Sequence, residues 1–139
     1  MTRVPEQVVE SVVGEVSARM ADPNYAQVAI GTFAQTHPDA GRYITAQSER
    51  LGGGEGVMHA VFHAQVLNEC FSRHLGRAVA PIGFAALDAA ALDAGASGDV
   101  VRRFADAQPS LASYVASNVD GDALRSVLAL IGLAMSSAG

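Results

Sequence analysis

Hydrophobic positions recur along this chain at intervals of three and four residues, and no segment shows strict alternation of apolar and polar side chains. The three-and-four spacing is typical of helices that bury one face. It is clearest near the N-terminus, where valines occupy positions 8, 9, 12, 13 and 16. The pattern predicts an all-α protein, with residues 1–139 forming a single compact helical domain of about eight short helices.

The five prolines all stand where a helical pattern begins. Proline is tolerated in the first turn of a helix, because the N–H that it lacks would have no partner there. Together with the glycine and aspartate positions, the prolines predict eight helices. Their approximate ranges are 5–20, 23–35, 38–51, 55–75, 81–94, 99–107, 109–118 and 120–136.

Two stretches of the chain share the pattern F-A-x-x-x-P-x-x-x-x-Y-[I/V], beginning at Phe33 and at Phe104. Matching positions differ by 71. Such a repeat predicts two related four-helix units, each of which buries its open face against the other. We expect one unit over residues 5–76 and the other over residues 81–137. Chance recurrence in an alanine-rich helical chain is the alternative explanation.

The composition excludes several classes of partner. The chain has no lysine, and nine arginines stand against 14 acidic residues, for a net charge of -5. A stripe of basic residues that could follow a phosphate backbone is absent, so nucleic acid is not an expected partner. The same charge balance disfavours an anionic membrane surface.

Sequence features bearing on location agree with this interpretation. The longest apolar run, Val127–Met135, is far shorter than the ~20 residues that span a bilayer, so membrane insertion is not expected. We see no signal peptide at the N-terminus. A single cysteine cannot form an intramolecular disulfide, which is typical of a reducing compartment. The predicted location is therefore cytoplasmic.

The predicted helix over residues 55–75 carries three of the four histidines and the only cysteine. At 100° per residue, one sector of this helix is polar. That sector comprises Gln65, Asn68, Glu69 and Ser72. The other side, which we expect to face inward, holds His59, His63, Cys70 and His74.

His59 and His63 are four residues apart, so both imidazoles lie on one face and are close enough to share a metal ion. Glu55, one turn earlier, is a candidate carboxylate ligand. The sequence thus predicts a candidate site for a divalent transition metal or a small ligand; no other cofactor is predicted. The alternative is a pair of neutral histidines hydrogen-bonded in a helical core. Candidates for a supporting role around the site are His37, Cys70 and His74.

Catalysis is not the favoured interpretation. The residues between His59 and His63 are apolar, so the glutamate that serves as general base in zinc hydrolases with an H-E-x-x-H motif is missing. We therefore expect a non-enzymatic interaction or regulatory module that binds a protein partner, with a homodimer as a further expectation. The alternative is a sensor-like protein that binds a metal or small ligand through the histidines. Candidate interface residues, taken from two strongly apolar helices, are Val9, Val12, Val16, Leu128, Ile131 and Met135.

Overall fold

A computed structural model of the chain describes residues 3–97 and 99–138, with the side chains of residues 96 and 97 left undescribed. Over these residues the protein is helical and has no strand, so the predicted all-α single domain is confirmed. None of the described helices is long and apolar enough to cross a membrane. The described helices are α1 (Glu6–Arg19), α2 (Tyr25–Thr36), α3 (Pro38–Ala46), α4 (Ser48–Leu51), α5 (Gly54–Leu75), α6 (Phe84–Ser97), α7 (Val100–Ala107), α8 (Pro109–Asn118) and α9 (Asp122–Ala138).

Two predicted helices differ from the structure in ways that hydrogen bonds explain. The expected third helix is divided into α3 and α4 at Gln47, whose N–H donates to the carbonyl of Ile44 in a tight turn (2.9 Å). The helix expected from residue 81 begins instead at Phe84. The backbone N–H of Ile82 is held outside the helix, because it donates to the imidazole of His37 (3.1 Å).

Helices α5 and α9 form the centre of the protein. α5 packs against α1, α2, α3, α4 and α9, and α9 also packs against α6, α7 and α8. Positions 127–136 of α9 are all buried, as a helix covered on every side requires. At Gly132 the packing is so close that a Cβ atom would lie 2.3 Å from the ring of Phe104.

The six residues expected to form an interface lie in the core instead. Their burial corrects the expectation of a partner surface on α1 or α9, because other helices of the same chain cover those apolar faces. The apolar stripe of α1 faces α5 and α8, and α9 is surrounded by α5, α6, α7 and α8. The buried residues are Val9, Val12, Val16, Leu128, Ile131 and Met135.

Two buried polar residues occupy similar junctions between helices. His37 links α2 to α3 with φ/ψ of -130°/70°, and Gln108 links α7 to α8 with -137°/71°. Each accepts a hydrogen bond from a backbone N–H that precedes a helix: Ile82 N–H donates to His37, and Val4 N–H to Gln108. This similarity agrees with the predicted repeat of residues 5–76 and 81–137, and the duplication itself stays a prediction.

Candidate binding groove

A groove with a volume of about 690 Å³ opens between α2 and the first half of α5. Its lining also includes the end of α1 and the turn between α8 and α9. The larger apolar side chains that line it are Met20, Ile30, Met58, Phe62, Val119 and Leu124. Its polar side chains are Gln27, His59, His63, Asn118 and Asp120. We refer to this region as the histidine end.

A second groove of about 670 Å³ adjoins the first and shares Ile30 and Met58 with it. Pro38 and Arg42 of α3 line it, so we refer to this region as the α3 end. Along α2 the two ends are lined by residues 26, 30 and 34, which follow one face of the helix over about 12 Å. The two ends therefore form one elongated surface, which we call the binding groove.

Two methionines give the histidine end its exposed apolar surface. The side chains of Met20 and Met58 are 50% and 52% exposed, although methionine is usually buried. Met20 lies at the C-terminal cap of α1, and Met58 lies in the second turn of α5. Flexible, polarisable methionine side chains are common on surfaces that adapt to a bound molecule. Their exposure gives the histidine end an apolar surface that is open to solvent.

His63 connects the groove to the core of the protein. Its Nδ1 and the hydroxyl of Tyr114 in α8 share a hydrogen bond of 2.7 Å, and its ring packs edge-on against Phe62. Burial, with a smaller effect from His59, lowers the pKa of His63 to about 4. Burial also raises the pKa of the Tyr114 hydroxyl. At neutral pH both side chains are uncharged, which suits the apolar lining of the groove.

The structure places the three predicted ligand residues differently from one another. His59 and His63 both line the histidine end, but His59 is exposed rather than inward-facing. Glu55 is exposed and does not line the groove. Within residues 3–97 and 99–138, no group of three His, Cys, Asp or Glu side chains is placed to hold a metal ion.

The face of α5 that was expected to be polar and solvated is partly buried. This explains why the predicted inward orientation of His59 is wrong. Gln65 and Asn68 lie in the interior, with only 5% and 7% of their surfaces exposed. Asn68 Oδ1 is 2.7 Å from Nε2 of His37, so it belongs to a buried polar network. A helical wheel cannot distinguish such a network from a solvated face, because both consist of polar residues.

The three candidates for a supporting role do not line the binding groove. His37 is fully buried at the junction of α2 and α3. Cys70 is also fully buried, and burial raises the pKa of its thiol to about 12, so it remains a protonated core residue. His74 lies half-buried in the last turn of α5.

Sequence reasoning missed the groove residues that lie outside α5. Met20, Asp120 and Leu124 are far from the histidines in sequence, and only the packing of α1 and α9 brings them to the same groove. The sequence offered one signal for them: Met20 is an apolar residue that falls just after the apolar stripe of α1 ends. No family model matches the chain, and searches of curated proteins and of solved structures find no similar protein.

Proposed function

We propose that this protein is a non-enzymatic interaction module that binds an amphipathic helix of a protein partner in the binding groove. The observation that carries the proposal is the elongated apolar surface on which the two ends of the groove meet at Ile30 and Met58. A partner helix with apolar residues at positions i, i+3 or i+4 and i+7 carries an apolar stripe along one face, and that stripe can pack into a groove of this kind.

The charges around the histidine end favour a partner helix with a basic outer face. Among the described residues, Asp120 lines this end and no arginine does, and burial keeps the pKa of His63 low, so its imidazole is uncharged at neutral pH. The whole chain carries a net charge of -5. Complementary charges speed association and select among partners more than they raise affinity. Apolar contacts with Met20, Met58 and Phe62 would supply most of the affinity.

The state of the nucleophilic and basic side chains supports a binding role over a catalytic one. The thiol of Cys70 is buried and protonated, so it is neither accessible nor activated. His63 has a pKa of about 4, far below the value near 7 that suits a general base at neutral pH. Its Nδ1 is paired with Tyr114, which holds the ring against the core.

Synthetic peptides of about 12 residues, enough for three helical turns, test the proposal directly. One peptide carries a leucine stripe and arginines elsewhere, the second replaces arginine by glutamate, and the third has the composition of the first in scrambled order. We expect the first peptide to bind best in isothermal titration calorimetry. Binding of none of them, or equal binding of the scrambled peptide, would contradict the proposal.

Two variants with matched changes locate the binding surface. Met58→Asp places a charge in the binding groove, whereas Val28→Asp places one on an α2 side chain that does not line the groove. Both native side chains are exposed, at 52% and 62%, so both variants should fold. We expect Met58→Asp to weaken binding of the arginine peptide by about tenfold or more, and Val28→Asp to leave it unchanged. Equal effects would place binding elsewhere.

A second candidate function is the binding of a divalent transition metal or small ligand near His59 and His63. Their shared position on one groove is the observation that favours it. The peptide experiments would also detect a homodimer formed through the groove. In that case a second copy of the chain would compete with the peptides, and peptide binding would weaken as the protein concentration rises.

A further inference from the structure

We propose that the histidine end of the groove binds one monovalent copper ion through the thioether sulfurs of Met20 and Met58 and the imidazoles of His59 and His63. The proposal goes beyond partner binding and does not depend on it. It also differs from the divalent site expected from sequence, because it uses two methionines that lie outside that ligand set and leaves out Glu55.

The four side chains reach the histidine end from two parts of the chain. Met58, His59 and His63 belong to the first half of α5, and Met20 lies at the end of α1. Among the described residues, Met20 and Met58 are the exposed methionines, and both line this one groove beside both histidines. Since methionine has three rotatable bonds, its sulfur can adjust to an ion within such an open groove.

The chemistry of these four groups selects a soft monovalent ion. Thioether sulfur is a soft ligand that favours Cu(I), and imidazole is a good ligand for copper. A divalent ion such as Zn²⁺ takes thiolate, imidazole or carboxylate ligands. The described residues provide no group of three His, Cys, Asp or Glu side chains for it. The two thioethers complete a ligand set that favours Cu(I) over Zn²⁺.

The ring of His63 is fixed on one side by a hydrogen bond of the kind that supports metal-ligating histidines. Its Nδ1 is held by Tyr114 at 2.7 Å, and no hydrogen bond occupies Nε2 among the described residues. Ligand histidines usually have their second nitrogen fixed by a hydrogen bond in this way, which sets the orientation of the ring. The ion binds as Cu(I) and leaves as Cu(I), with no electron transferred.

Competition with bathocuproine disulfonate under anaerobic conditions, with ascorbate to keep copper reduced, measures the affinity for Cu(I). We expect one equivalent to bind to the wild-type protein. The double variant Met20→Leu/Met58→Leu keeps the size and apolarity of both side chains but removes both sulfurs. We expect it to bind Cu(I) at least about tenfold more weakly, as does His59→Gln/His63→Gln, because loss of even an outer partner of a ligand costs about 10–100-fold. Glu55→Gln should bind as the wild type does.

Methyl NMR spectra of methionine locate the bound ion. The signals of Met20 and Met58 should shift on addition of Cu(I), and that of the buried Met135 should stay in place. No binding by the wild-type protein, an unchanged affinity in the double leucine variant, or equally tight binding of Zn²⁺ would overturn the proposal. Circular dichroism checks that each variant is folded. The double leucine variant is the decisive one, because both substitutions lie at exposed positions and should leave the fold intact.

The leucine variant also separates this proposal from the proposed function. Leucine preserves the apolar surface of the groove, so the arginine peptide should bind the double leucine variant about as well as the wild type. Loss of Cu(I) binding with retained peptide binding supports both proposals. Failure of the wild type to bind Cu(I) overturns the copper site alone, and failure to bind the peptide overturns the partner groove alone.

Discussion

The imidazole of His37 accepts a hydrogen bond from the backbone N–H of Ile82 at 3.1 Å. Since Nδ1 is the acceptor, the ring proton lies on Nε2, which donates to Oδ1 of Asn68 at 2.7 Å. One buried side chain thus joins the junction of α2 and α3 to α5 and to the segment before α6. Gln108 does the same elsewhere, accepting from Val4 N–H (2.9 Å) and donating to Ser136 (3.0 Å).

Removing the polar atoms of His37 should destabilise the fold. His37→Leu leaves a buried N–H and a buried amide oxygen without partners, and each such group costs about 1–3 kcal/mol. We expect the free energy of unfolding, measured with urea, to fall by about 2–6 kcal/mol. His37→Gln should lose less, because glutamine accepts and donates at the same time, as Gln108 does. His59→Leu, at an exposed position, should change the value by no more than about 0.5 kcal/mol.

Two neighbouring amides on α5 should respond in opposite ways to replacement. Oε1 of Gln65 is buried without a hydrogen-bond partner among the described residues, whereas Asn68 is paired with His37. Gln65→Met should therefore leave stability unchanged or raise it by about 1 kcal/mol, and Asn68→Leu should lower it by about 1–3 kcal/mol. Thermal and urea unfolding of the two variants provide the measurement; a large loss in Gln65→Met would show that its amide is satisfied.

Stability should fall as the solution is acidified below neutral pH. Burial lowers the pKa of His37 in the folded protein, and lowers that of His63 to about 4. The unfolded chain, with an ordinary histidine pKa of about 6.5, binds protons that the folded protein excludes. The free energy of unfolding should therefore decrease from about pH 6.5 to about pH 4, by up to about 1.4 kcal/mol per pH unit for each histidine.

Variants separate this histidine effect from the titration of carboxylates. His37→Gln/His63→Gln removes both titrating groups, and its unfolding free energy should depend less on pH than that of the wild type between pH 6.5 and pH 4. His74→Gln, which leaves both buried histidines in place, serves as the control. Equal slopes for the wild type and the double variant would show that neither imidazole is held neutral.

The contact between α7 and α9 should not accept an added methyl group. A Cβ atom at Gly132 would lie 2.3 Å from the ring of Phe104, so Gly132→Ala must displace that ring or the helix. We expect a loss of about 1–3 kcal/mol in the free energy of unfolding. Gly14→Ala in α1 meets no atom within 4 Å and should instead stabilise the protein by up to about 1 kcal/mol. Differential scanning calorimetry distinguishes the two.

The hypothesis of a divalent metal site can be tested with zinc, and the position of Glu55 outside the groove decides which variants should matter. Zinc held by the sequence-predicted ligands would raise the melting temperature of the wild type, and each of Glu55→Gln and His59→Ala/His63→Ala would reduce the shift. Because Glu55 does not line the groove, whereas both histidines do, we expect Glu55→Gln to keep the zinc-dependent shift of the wild type and His59→Ala/His63→Ala to lose it. Elemental analysis of the purified protein is an independent check.

The sequence by itself determined the helical class and most helix positions, because apolar spacing and helix-starting prolines act locally. It also singled out α5 as the exceptional helix. The division of α3 from α4 and the late start of α6 depend on hydrogen bonds at Gln47 and Ile82, and Ile82 donates to a residue 45 positions away.

Only the tertiary structure decided which face of α5 is the interior. Buried networks such as that of His37 and Asn68 place polar residues where a wheel predicts solvent, and His59 is exposed where it predicts the core. The binding groove likewise exists because packing brings Met20 of α1 and Leu124 of α9 beside α5. Local periodicity reports that a helix has two faces, but the partners that cover each face are set by contacts distant in sequence.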